Sequence, residues 1–285
     1  GLVWEDMNKP GKEKNVAGSG GVVVVLSAMI GIFLYIAVQT FYFKTSEGIS
    51  IQIFALLSSM FLVTLVGLID DLFGWRKGGL SKRSRIILVL FSAIPLMIIN
   101  AGDSTILGIN LGILYPLIVV PIGILGATTT FNFLAGYNGL ESGQGILILS
   151  ALAFVAYATG SPWLSIVALC MVASLFAFYI FNKYPARVFP GDVLTYSVGM
   201  MIAAIAILGN IEKIALFFFI PYMLETILKI RGKLEKQSFG KPNKDGSLEM
   251  PYNKIYGLEH LAIWILKRIK SNGKVYETEV VYLIN

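Results

Sequence analysis

Two adjacent carboxylates are the first feature of this sequence that could do chemistry. Asp70 and Asp71 stand at the end of a long apolar segment. If that segment is a helix, the two charges repel each other and face the negative end of the helix dipole, so something cationic must compensate them. Arg76, Lys77 and water would do so at an ordinary solvated helix end. The alternative is a bound divalent cation or a role in accepting a proton, because paired carboxylates suit both.

A glycine-rich polar stretch, residues 128–144, is the second such feature. It contains Asn132 and Glu141 but no Lys or Arg, although the neighbouring loops are basic. Its glycines would let the backbone approach a ligand closely, and the Asn138-Gly139 pair is typical of a turn. The plainer interpretation is a connector in which Asn132 caps a helix end.

Asp192 is the third feature, and it directly precedes another apolar segment within Phe189-Pro-Gly-Asp192. On its own it could simply be the N-cap of a helix. A helix N-terminus that faces a phosphate also helps to bind that anion, and Asp192 could then hold the counter-cation. The sequence leaves both interpretations open.

The elements that must position these residues are apolar. Of the 285 residues, 56% are hydrophobic and 14% charged, and the mean hydropathy is +0.74. Globular proteins average roughly 45–50% apolar and roughly 25% charged residues, so a disordered chain, a disulfide scaffold and an ordinary cytosolic enzyme are excluded. A soluble helical core would show polar stripes along its helices, and these segments are apolar all round. The sequence therefore predicts an all-α polytopic membrane protein.

Eight apolar segments approach the length of about 20 residues that a membrane span requires. They are residues 21–43, 51–69, 86–100, 114–131, 145–160, 163–181, 193–209 and 214–229. The third and fifth are short, and Pro95 is expected to kink the third. Eight crossings would place both ends of this chain on the same side of the membrane.

The basic residues indicate which side that is. One set of alternate loops holds most of the Lys and Arg residues, namely Lys9, Lys12, Lys14, Arg76, Lys77, Lys82, Arg83, Arg85, Lys183, Arg187 and the basic stretch after residue 229. The opposite set holds Lys44 and Lys213. Because cytoplasmic loops carry the excess of Lys and Arg, both termini and all three polar features are predicted to be cytoplasmic.

The pattern changes near residue 241. Residues 1–240 are expected to form the transmembrane catalytic domain, and residues 241–285 a small cytoplasmic β–α–β subdomain. Residues 247–252 and 277–284 are predicted as its strands, and residues 258–269 as its amphipathic helix. On the opposite side of the membrane, residues 105–112 are predicted to form a short surface strand or hairpin arm.

Hard oxygen donors and a ring of basic residues thus converge on one membrane face. Asp70, Asp71, Asn132 and Asp192 are the donors. Mg²⁺ prefers carboxylates together with substrate phosphates, so the set favours a magnesium-dependent reaction of a phosphate or diphosphate. The sequence has no P-loop, no Gly-x-Gly-x-x-Gly motif and no His/Cys ligand set.

A secondary transporter would also place polar groups among its spans, but it should have ionisable residues in mid-membrane. The predicted spans are nearly free of ionisable residues, and the exception, Glu225, lies near the inner end of its span.

The three polar features, in their order along the chain, resemble those of the polyprenyl-phosphate N-acetylhexosamine-1-phosphate transferases. The resemblance is strongest to the archaeal and eukaryotic UDP-GlcNAc:dolichyl-phosphate GlcNAc-1-phosphate transferases. It rests on Asp6-Met-Asn-Lys9, Gly67-Leu-Ile-Asp-Asp71, the stretch 132–144, Phe189-Pro-Gly-Asp192, Leu248-Glu-Met-Pro-Tyr252 and Leu283-Ile-Asn285. Asn-Gly-Leu-Glu-x-Gly-Gln is the most specific of these, because bacterial relatives tend to carry Asp where Glu141 stands.

The resemblance implies an activity and its partners. GlcNAc-1-phosphate would pass from UDP-GlcNAc to a polyprenyl or dolichyl phosphate with release of UMP, as the first step of lipid-linked oligosaccharide synthesis for N-glycosylation. The cofactor would be Mg²⁺ or, in its place, Mn²⁺. The other partners would be the lipid bilayer and, in a homodimer, a second copy of the chain, with no nucleic acid. The membrane would be the cell membrane in an archaeon and that of the endoplasmic reticulum in a eukaryote.

Four alternatives stay open beside that activity. An undecaprenyl-phosphate GlcNAc-1-phosphate transferase or a MurNAc-pentapeptide transferase is the nearest, and a transporter or an inactive scaffold is more distant. The family has ten spans, so this chain is expected to be a fragment that holds spans two to nine.

The resemblance also assigns roles. Asn132 and Asp192 would be Mg²⁺ ligands, and Asp70 and Asp71 catalytic carboxylates, one of which deprotonates or orients the lipid phosphate. Lys9 would be the substrate-binding lysine of the first loop, and either Lys82 or Arg85 would be a phosphate-binding cation. Asn138 and the backbone around Gly136 would contact the uridine, and Glu141 would also bind substrate.

The chain departs from the family pattern at two places. Residues 16–21 are small where the eukaryotic first loop has a glutamate, and the Arg-His-Arg triplet of the last cytoplasmic loop is missing. The diphosphate clamp would then fall to Arg231, Lys233, Lys236 or Lys241. His260, the only histidine, is expected to be structural.

Overall fold

The structure, a computed structural model, describes residues 2–11, 16–45, 49–106 and 109–285. The predicted loop cations Lys12 and Lys14 lie outside these residues, as do the side chains of Arg76 and Lys77. The described helices are α1 Gly21–Val38, α2 Ser50–Lys77, α3 Lys82–Ser92, α4 Ile94–Ile98, α5 Val120–Phe131, α6 Leu140–Ala158, α7 Pro162–Asn182, α8 Gly191–Leu208, α9 Glu212–Phe218, α10 Ile220–Arg231, α11 Leu258–Ile269 and α12 Glu277–Ile284. A π-helical segment, Gln39–Phe43, continues α1, and another, Tyr115–Val119, precedes α5.

Strands are few and short. β1 Val3–Trp4 pairs with β2 Val16–Ala17, β3 Thr105–Ile106 with β4 Ile109–Asn110, and β5 Lys241–Pro242 with β6 Leu248–Glu249, each pair antiparallel. Residues 105–112 are predicted as a short surface strand or a hairpin arm, and the β3–β4 pair selects the hairpin. Residues 107 and 108 lie outside the described part of the chain. The protein is therefore mostly helical, as its composition predicts.

Five of the described helices are long and apolar enough to cross a membrane. They are Gly21–Phe43, Ser50–Gly74, Leu140–Ala158, Pro162–Asn182 and Gly191–Leu208. The fourth predicted span corresponds to a shorter apolar helix, Tyr115–Phe131. The eight predicted crossings are therefore not confirmed.

Proline explains why two predicted spans are not single helices. The third is divided into α3 and α4 at Ala93, and the eighth into α9 and α10 at Phe219. Pro95 and Pro221 each occupy the first turn of the second piece. Proline has no N–H to donate and fits a helix best in its first turn, so each apolar run restarts there.

Helix α8 forms the centre of the bundle. All of its residues from Val193 to Leu208 are buried, and it packs against α1, α2, α5 and α6. The outer helices expose large apolar side chains such as Phe33, Phe154 and Phe176. That arrangement fits a helix surrounded by protein within helices that face lipid.

Glycines bring two neighbouring helices very close to the start of α8. A Cβ atom added at Gly67 of α2 would lie 2.7 Å from the Cα of Val193, and one added at Gly21 of α1 would lie 2.4 Å from the backbone nitrogen of Leu194. Small residues permit such close backbone approach between membrane helices. The contact at Gly67 lies one turn from Asp70 and Asp71, so it fixes their distance from Asp192.

Replacing Gly67 with alanine is expected to destabilise the protein by about 1–3 kcal/mol, because an extra carbon in a tight contact forces the backbones apart. Gly126→Ala is the matched control, since a Cβ there has nothing within 4 Å. Alanine favours helix by about 1 kcal/mol over glycine, so G126A should be neutral or stabilising. Thermal unfolding of both variants in detergent measures the effect, and equal unfolding temperatures for G67A and wild type would contradict it.

The segment after residue 241 is only partly as predicted. Helix α11, Leu258–Ile269, confirms the amphipathic helix, and the first predicted strand is reduced to β6 in a hairpin with β5. The second predicted strand, residues 277–284, is wrong: it is helix α12. A capping box between Tyr276 and Glu279 starts this helix, and Glu277, Val280 and Val281 share its buried face at helical spacing. The β–α–β arrangement is therefore replaced by a hairpin and two helices.

Candidate active site

One cavity of about 760 Å³ collects the residues that the sequence singles out. It is bounded by the first loop, the ends of α2 and α5, the stretch before α6 and the start of α8. The predicted site residues that line it are Asp70, Asp71, Arg85, Asn132, Gly136, Asn138, Glu141 and Asp192. Side chains far apart in the chain thus meet at one end of the helix bundle.

Asp71 caps the N-terminus of α8 from another helix. Its Oδ1 accepts a hydrogen bond from the backbone N–H of Asp192 at 2.7 Å, and its Oδ2 accepts one from the Ser19 hydroxyl at 2.8 Å. A helix N-terminus leaves N–H groups without partners, and the positive end of the helix dipole also stabilises a carboxylate placed there. Asp192 lies in the first turn of α8, whose N-cap is Pro190. The interpretation of Asp192 as the N-cap is therefore wrong.

Gly191 is required at this junction. Its φ is +71°, a conformation that favours glycine, and a Cβ there would lie 2.2 Å from Asp71 Oδ2. The glycine in Phe189-Pro-Gly-Asp192 thus leaves room for the carboxylate of Asp71.

Asp70 is held by an arginine in a forked ion pair. Arg85 Nη2 donates to Asp70 Oδ1 at 2.9 Å, and Arg85 Nε lies 2.5 Å from Oδ2. The backbone N–H of Leu80 donates to Oδ1 at 2.7 Å, and the Tyr196 hydroxyl to Oδ2 at 3.2 Å. Asp70 is 1% exposed, so it is a buried carboxylate whose oxygens are both occupied.

Asn132 and Asp192 complete the oxygen-rich part of the cavity. Asn132 is the C-cap of α5, and its Oδ1 accepts a hydrogen bond from Thr195 Oγ1 at 2.9 Å. The carboxyl group of Asp192 lies close to those of Asp70 and Asp71. Three carboxylates therefore share this end of the cavity with Arg85.

The donors have the chemistry that Mg²⁺ requires, namely carboxylate and amide oxygens around an excess of negative charge. Asp71 and Asn132 nevertheless use their oxygens in hydrogen bonds within the protein. Among the described residues, no three His, Cys, Asp or Glu side chains form a ready metal-binding group. The residues fit a cation by donor type and shared location, and side chains would have to turn to bind it.

The stretch before α6 forms the opposite wall. Glu141 accepts a hydrogen bond from the Gly136 N–H at 2.7 Å, and Asn138 is 5% exposed and lines the cavity. Gly136 has a φ of +108°, and a Cβ there would lie 2.8 Å from the ring of Phe239. Glycine at this position therefore admits an aromatic ring against the backbone.

The predicted basic residues divide into two groups. Arg85 lines the cavity, whereas Lys82 is exposed at the start of α3. Lys9 is buried, forms an ion pair with Asp6 at 3.2 Å and lies over the Tyr184 ring. In the described part of the chain, Lys9, Lys82, Arg231, Lys236 and Lys241 are not lining residues of the cavity.

The loop after α10 reaches the cavity through an aromatic residue instead. Arg231 and Lys236 are exposed, and they lie over the rings of Tyr256 and Tyr252, respectively. Phe239, in contrast, lines the cavity. The predicted diphosphate clamp is thus not assembled here, and its assignment to these lysines and arginines stays a prediction.

Sequence reasoning missed several contacts. Ser19 lies in a run of small residues that gave no signal, and Phe239 lies in a loop of ordinary composition. Tyr196 follows Asp192 by four residues on α8, so helical spacing could have placed it on the same face. Glu277 fell in the segment mistaken for a strand.

His260 has the structural character expected of it. It is fully buried on α11, and its Nδ1 accepts a hydrogen bond from the Tyr256 N–H at 3.3 Å. Burial, with Lys229 nearby, lowers the pKa of His260 to about 4. A neutral imidazole that does not line the cavity fits packing better than catalysis.

Comparison with known proteins agrees with this site. Residues 53–210 match glycosyl transferase family 4. Over 290 residues the chain is 35% identical to a protein of Saccharolobus solfataricus provisionally named UDP-N-acetylglucosamine–dolichyl-phosphate N-acetylglucosaminephosphotransferase, with 99% of this chain and 84% of the relative covered. The enzyme of that name from Dictyostelium discoideum is 31% identical over 272 residues, which cover 80% of this chain and 65% of the relative. A phospho-N-acetylmuramoyl-pentapeptide-transferase of Streptococcus pneumoniae is 29% identical over 230 residues, which cover 78% and 68%.

Apolar helices around an acidic cavity at one end of the bundle define an integral membrane enzyme. The chain belongs to glycosyl transferase family 4, and it is a phospho-sugar transferase. The resemblance drawn from its motifs is thereby confirmed.

Proposed function

We propose that this enzyme transfers GlcNAc-1-phosphate from UDP-GlcNAc to a polyprenyl phosphate of the dolichyl type, at the cytoplasmic face and with Mg²⁺. The names of the relatives that are 35% and 31% identical support the donor and the acceptor. The observation that carries the proposal is the single cavity shared by Asp70, Asp71, Asn132 and Asp192. The product would enter lipid-linked oligosaccharide synthesis for N-glycosylation.

In the proposed reaction, an oxygen of the lipid phosphate attacks the β-phosphorus of UDP-GlcNAc. The bond from that phosphorus to the oxygen bridging the two phosphates breaks, and UMP leaves with that oxygen. The products are UMP and GlcNAc-diphospho-polyprenol. Such transfers depend mainly on positioning and on stabilising the charge that develops on phosphate oxygens.

The cavity residues would divide this work. Asn132 and Asp192 would hold Mg²⁺, which when bound supplies positive charge to the donor phosphates. The N-terminus of α8 favours an anion beside it. Asp71 would be the better proton acceptor of the adjacent pair, because Asp70 is ion-paired with the cationic Arg85. The hydrogen bonds that Asp71 accepts from the Asp192 N–H and the Ser19 hydroxyl come from neutral groups. Asn138 and the Gly136 backbone would bind the uridine, beside the ring of Phe239.

The proposal is tested by measuring UMP release from UDP-GlcNAc by the purified chain in detergent with dolichyl phosphate. We expect UMP and a GlcNAc-diphospho-lipid to form in equal amounts, and neither to form without the lipid phosphate or with EDTA. No UMP release with both substrates present would contradict the proposal.

A second arm tests the donor, because the 29% identity to a phospho-N-acetylmuramoyl-pentapeptide-transferase favours a rival. UDP-MurNAc-pentapeptide with undecaprenyl phosphate is offered under the same conditions. A faster reaction with that pair than with UDP-GlcNAc and dolichyl phosphate would assign the chain to the rival reaction.

A further inference from the structure

Helix α12 supplies a buried carboxylate to the back of the cavity wall. Glu277, the first residue of α12, is 3% exposed. Its Oε1 accepts a hydrogen bond from the backbone N–H of Asn138 at 2.8 Å and another from Asn8 Nδ2 at 3.3 Å. A carboxylate that accepts hydrogen bonds from two other segments in a buried site joins those segments firmly.

The start of α12 is itself well fixed. Tyr276 and Glu279 form a capping box, Glu279 pairs with Lys270 at 2.6 Å, and Val280 and Val281 are buried. Glu277 is therefore presented from a rigid element, whereas the stretch it contacts is irregular. Gly136 and Gly139 both have positive φ there, so no regular hydrogen-bonding pattern holds that stretch.

Three different elements fix the polar groups of the Gly136–Asn138 turn. Asn8 Nδ2 donates to the Gly136 carbonyl at 3.2 Å, and Asp6 Oδ2 accepts from Asn138 Nδ2 at 3.0 Å. Glu141 accepts a hydrogen bond from the Gly136 N–H, and Glu277 accepts one from the Asn138 N–H. Of these four contacts, the one from Glu277 fixes the backbone of the residue whose side chain lines the cavity.

The contact with Asp6 also orients the Asn138 amide. Its Nδ2 faces Asp6, so its Oδ1 is the atom left to accept a hydrogen bond from a ligand. An acceptor placed this way suits an N–H of a nucleobase. Its position depends on the backbone of Asn138, and hence on Glu277.

We propose that Glu277 is a positioning residue for the nucleotide: it holds the backbone of Asn138 so that the Asn138 side chain meets the base of the sugar donor. This inference rests on the proposed function, since it assumes a nucleotide-sugar substrate. Glu277 itself does not line the cavity among the described residues, so it acts through Asn138.

Glu277→Ala should raise KM for UDP-GlcNAc about 10-fold and change kcat by less than about threefold. The loss of one buried acceptor is worth about a factor of ten in an equilibrium. Under the proposed function the phosphates would react at Asp71, Asn132 and Asp192, and Glu277 contacts none of these residues in the described part of the chain. Glu277→Gln should stay within about threefold of wild type at pH 8, because Gln keeps an oxygen for both donors. An E277Q enzyme as impaired as E277A, or a fall in kcat with KM unchanged, would overturn the proposal.

Glu279→Ala is the matched control on the same helix. It removes a carboxylate and part of the helix cap, but Glu279 contacts Lys270 and Tyr276 rather than Asn138. If loosening of α12 were the cause of the E277A defect, E279A should raise KM as much. We expect E279A to leave KM within about twofold of wild type.

The pH profile provides a readout that general unfolding would not give. Burial raises the pKa of Glu277 to about 7, with Asp6 adding to the rise and the Asn138 N–H, Asn8 and Lys9 opposing it. Tyr137 also faces this carboxyl group. Between pH 8 and pH 6 Glu277 gains a proton and becomes a weaker acceptor, so the ratio of KM in wild type to KM in E277Q should rise about threefold. A flat ratio would contradict the role of Glu277.

Hydrogen exchange separates this inference from the proposed function. Without substrate, the amide of Asn138 should exchange at least about 10-fold faster in E277A than in wild type, and at the wild-type rate in E279A. If wild type releases no UMP, the proposed function fails, and the exchange comparison still decides whether Glu277 holds the turn. Unchanged exchange in E277A would overturn the positioning role even in an active transferase.

Discussion

Replacing Asp192 with alanine is expected to reduce UMP release from UDP-GlcNAc about 1,000-fold without lowering the unfolding temperature. A loss of 10²–10³ is typical when one group that stabilises transition-state charge is removed. The fold should survive, because α8 is joined to Asp71 through the backbone N–H of residue 192, which alanine retains. Removing one of three clustered carboxylates also relieves repulsion, so unfolding should occur at the same temperature or slightly higher. UMP release and thermal unfolding of the same preparation measure the two effects.

Two variants make this result specific. Asp192→Asn keeps the size of the side chain and one oxygen, so it should lose less activity and require more Mg²⁺ for half-maximal rate. Asp103→Ala removes an exposed carboxylate of the segment before β3, outside the lining of the cavity, and should remain fully active. Undiminished Mg²⁺-dependent UMP release by D192A would remove Asp192 from the proposed ligand set.

The shared location of the polar features could be predicted from sequence because each lies at an end of an apolar segment. Helices of similar length that cross the same layer bring alternate ends to one face, and the basic loops indicated the same face. Asp71, Asn132 and Asp192 accordingly line one cavity. Long apolar runs such as those of α2, α7 and α8 were equally clear, since length and composition define them.

The different environments of Asp70 and Asp71 could not be read from the sequence. Adjacent residues on a helix point about 100° apart, so one carboxylate can face α3 while the next faces α8. Asp70 contacts Arg85, and Asp71 contacts the first turn of α8. Which neighbour lies on which side depends on helix packing, and that packing is set by close contacts such as the one at Gly67.

Short segments were the other source of error. Residues 277–284 contain neighbouring β-branched and apolar residues, a pattern that fits a short strand or one face of a helix equally well. The capping box and the buried partners of Glu277 decide for helix, and both are tertiary or side-chain features. The choice between Lys82 and Arg85 was open for a similar reason: the two differ by less than one helical turn, and only Arg85 faces Asp70.

Arg85→Ala is expected to destabilise the protein by about 3 kcal/mol and to reduce UMP release at least about 100-fold. Removing one partner of a buried ion pair typically costs about 3–5 kcal/mol, because the other charge stays buried without compensation. The lower end applies because the Arg85 side chain is 31% exposed, whereas that of Asp70 is 1% exposed. Without the guanidinium, three carboxylates would share one end of the cavity, which opposes binding of a diphosphate. Thermal unfolding in detergent and UMP release measure the two effects.

Three further variants assign these effects to the ion pair. Lys82→Ala, at an exposed position in the same helical turn, should match wild type in both measurements. Arg85→Lys keeps the charge but loses the two-nitrogen fork, so it should fall between wild type and R85A. The double variant Asp70→Asn, Arg85→Ala should regain most of the stability lost in R85A, because a neutral amide no longer requires a cation beside it. An R85A protein as stable as K82A would mean that the pair is not what holds the end of α2 against α3, and the buried charge of Asp70 would then need another source of compensation.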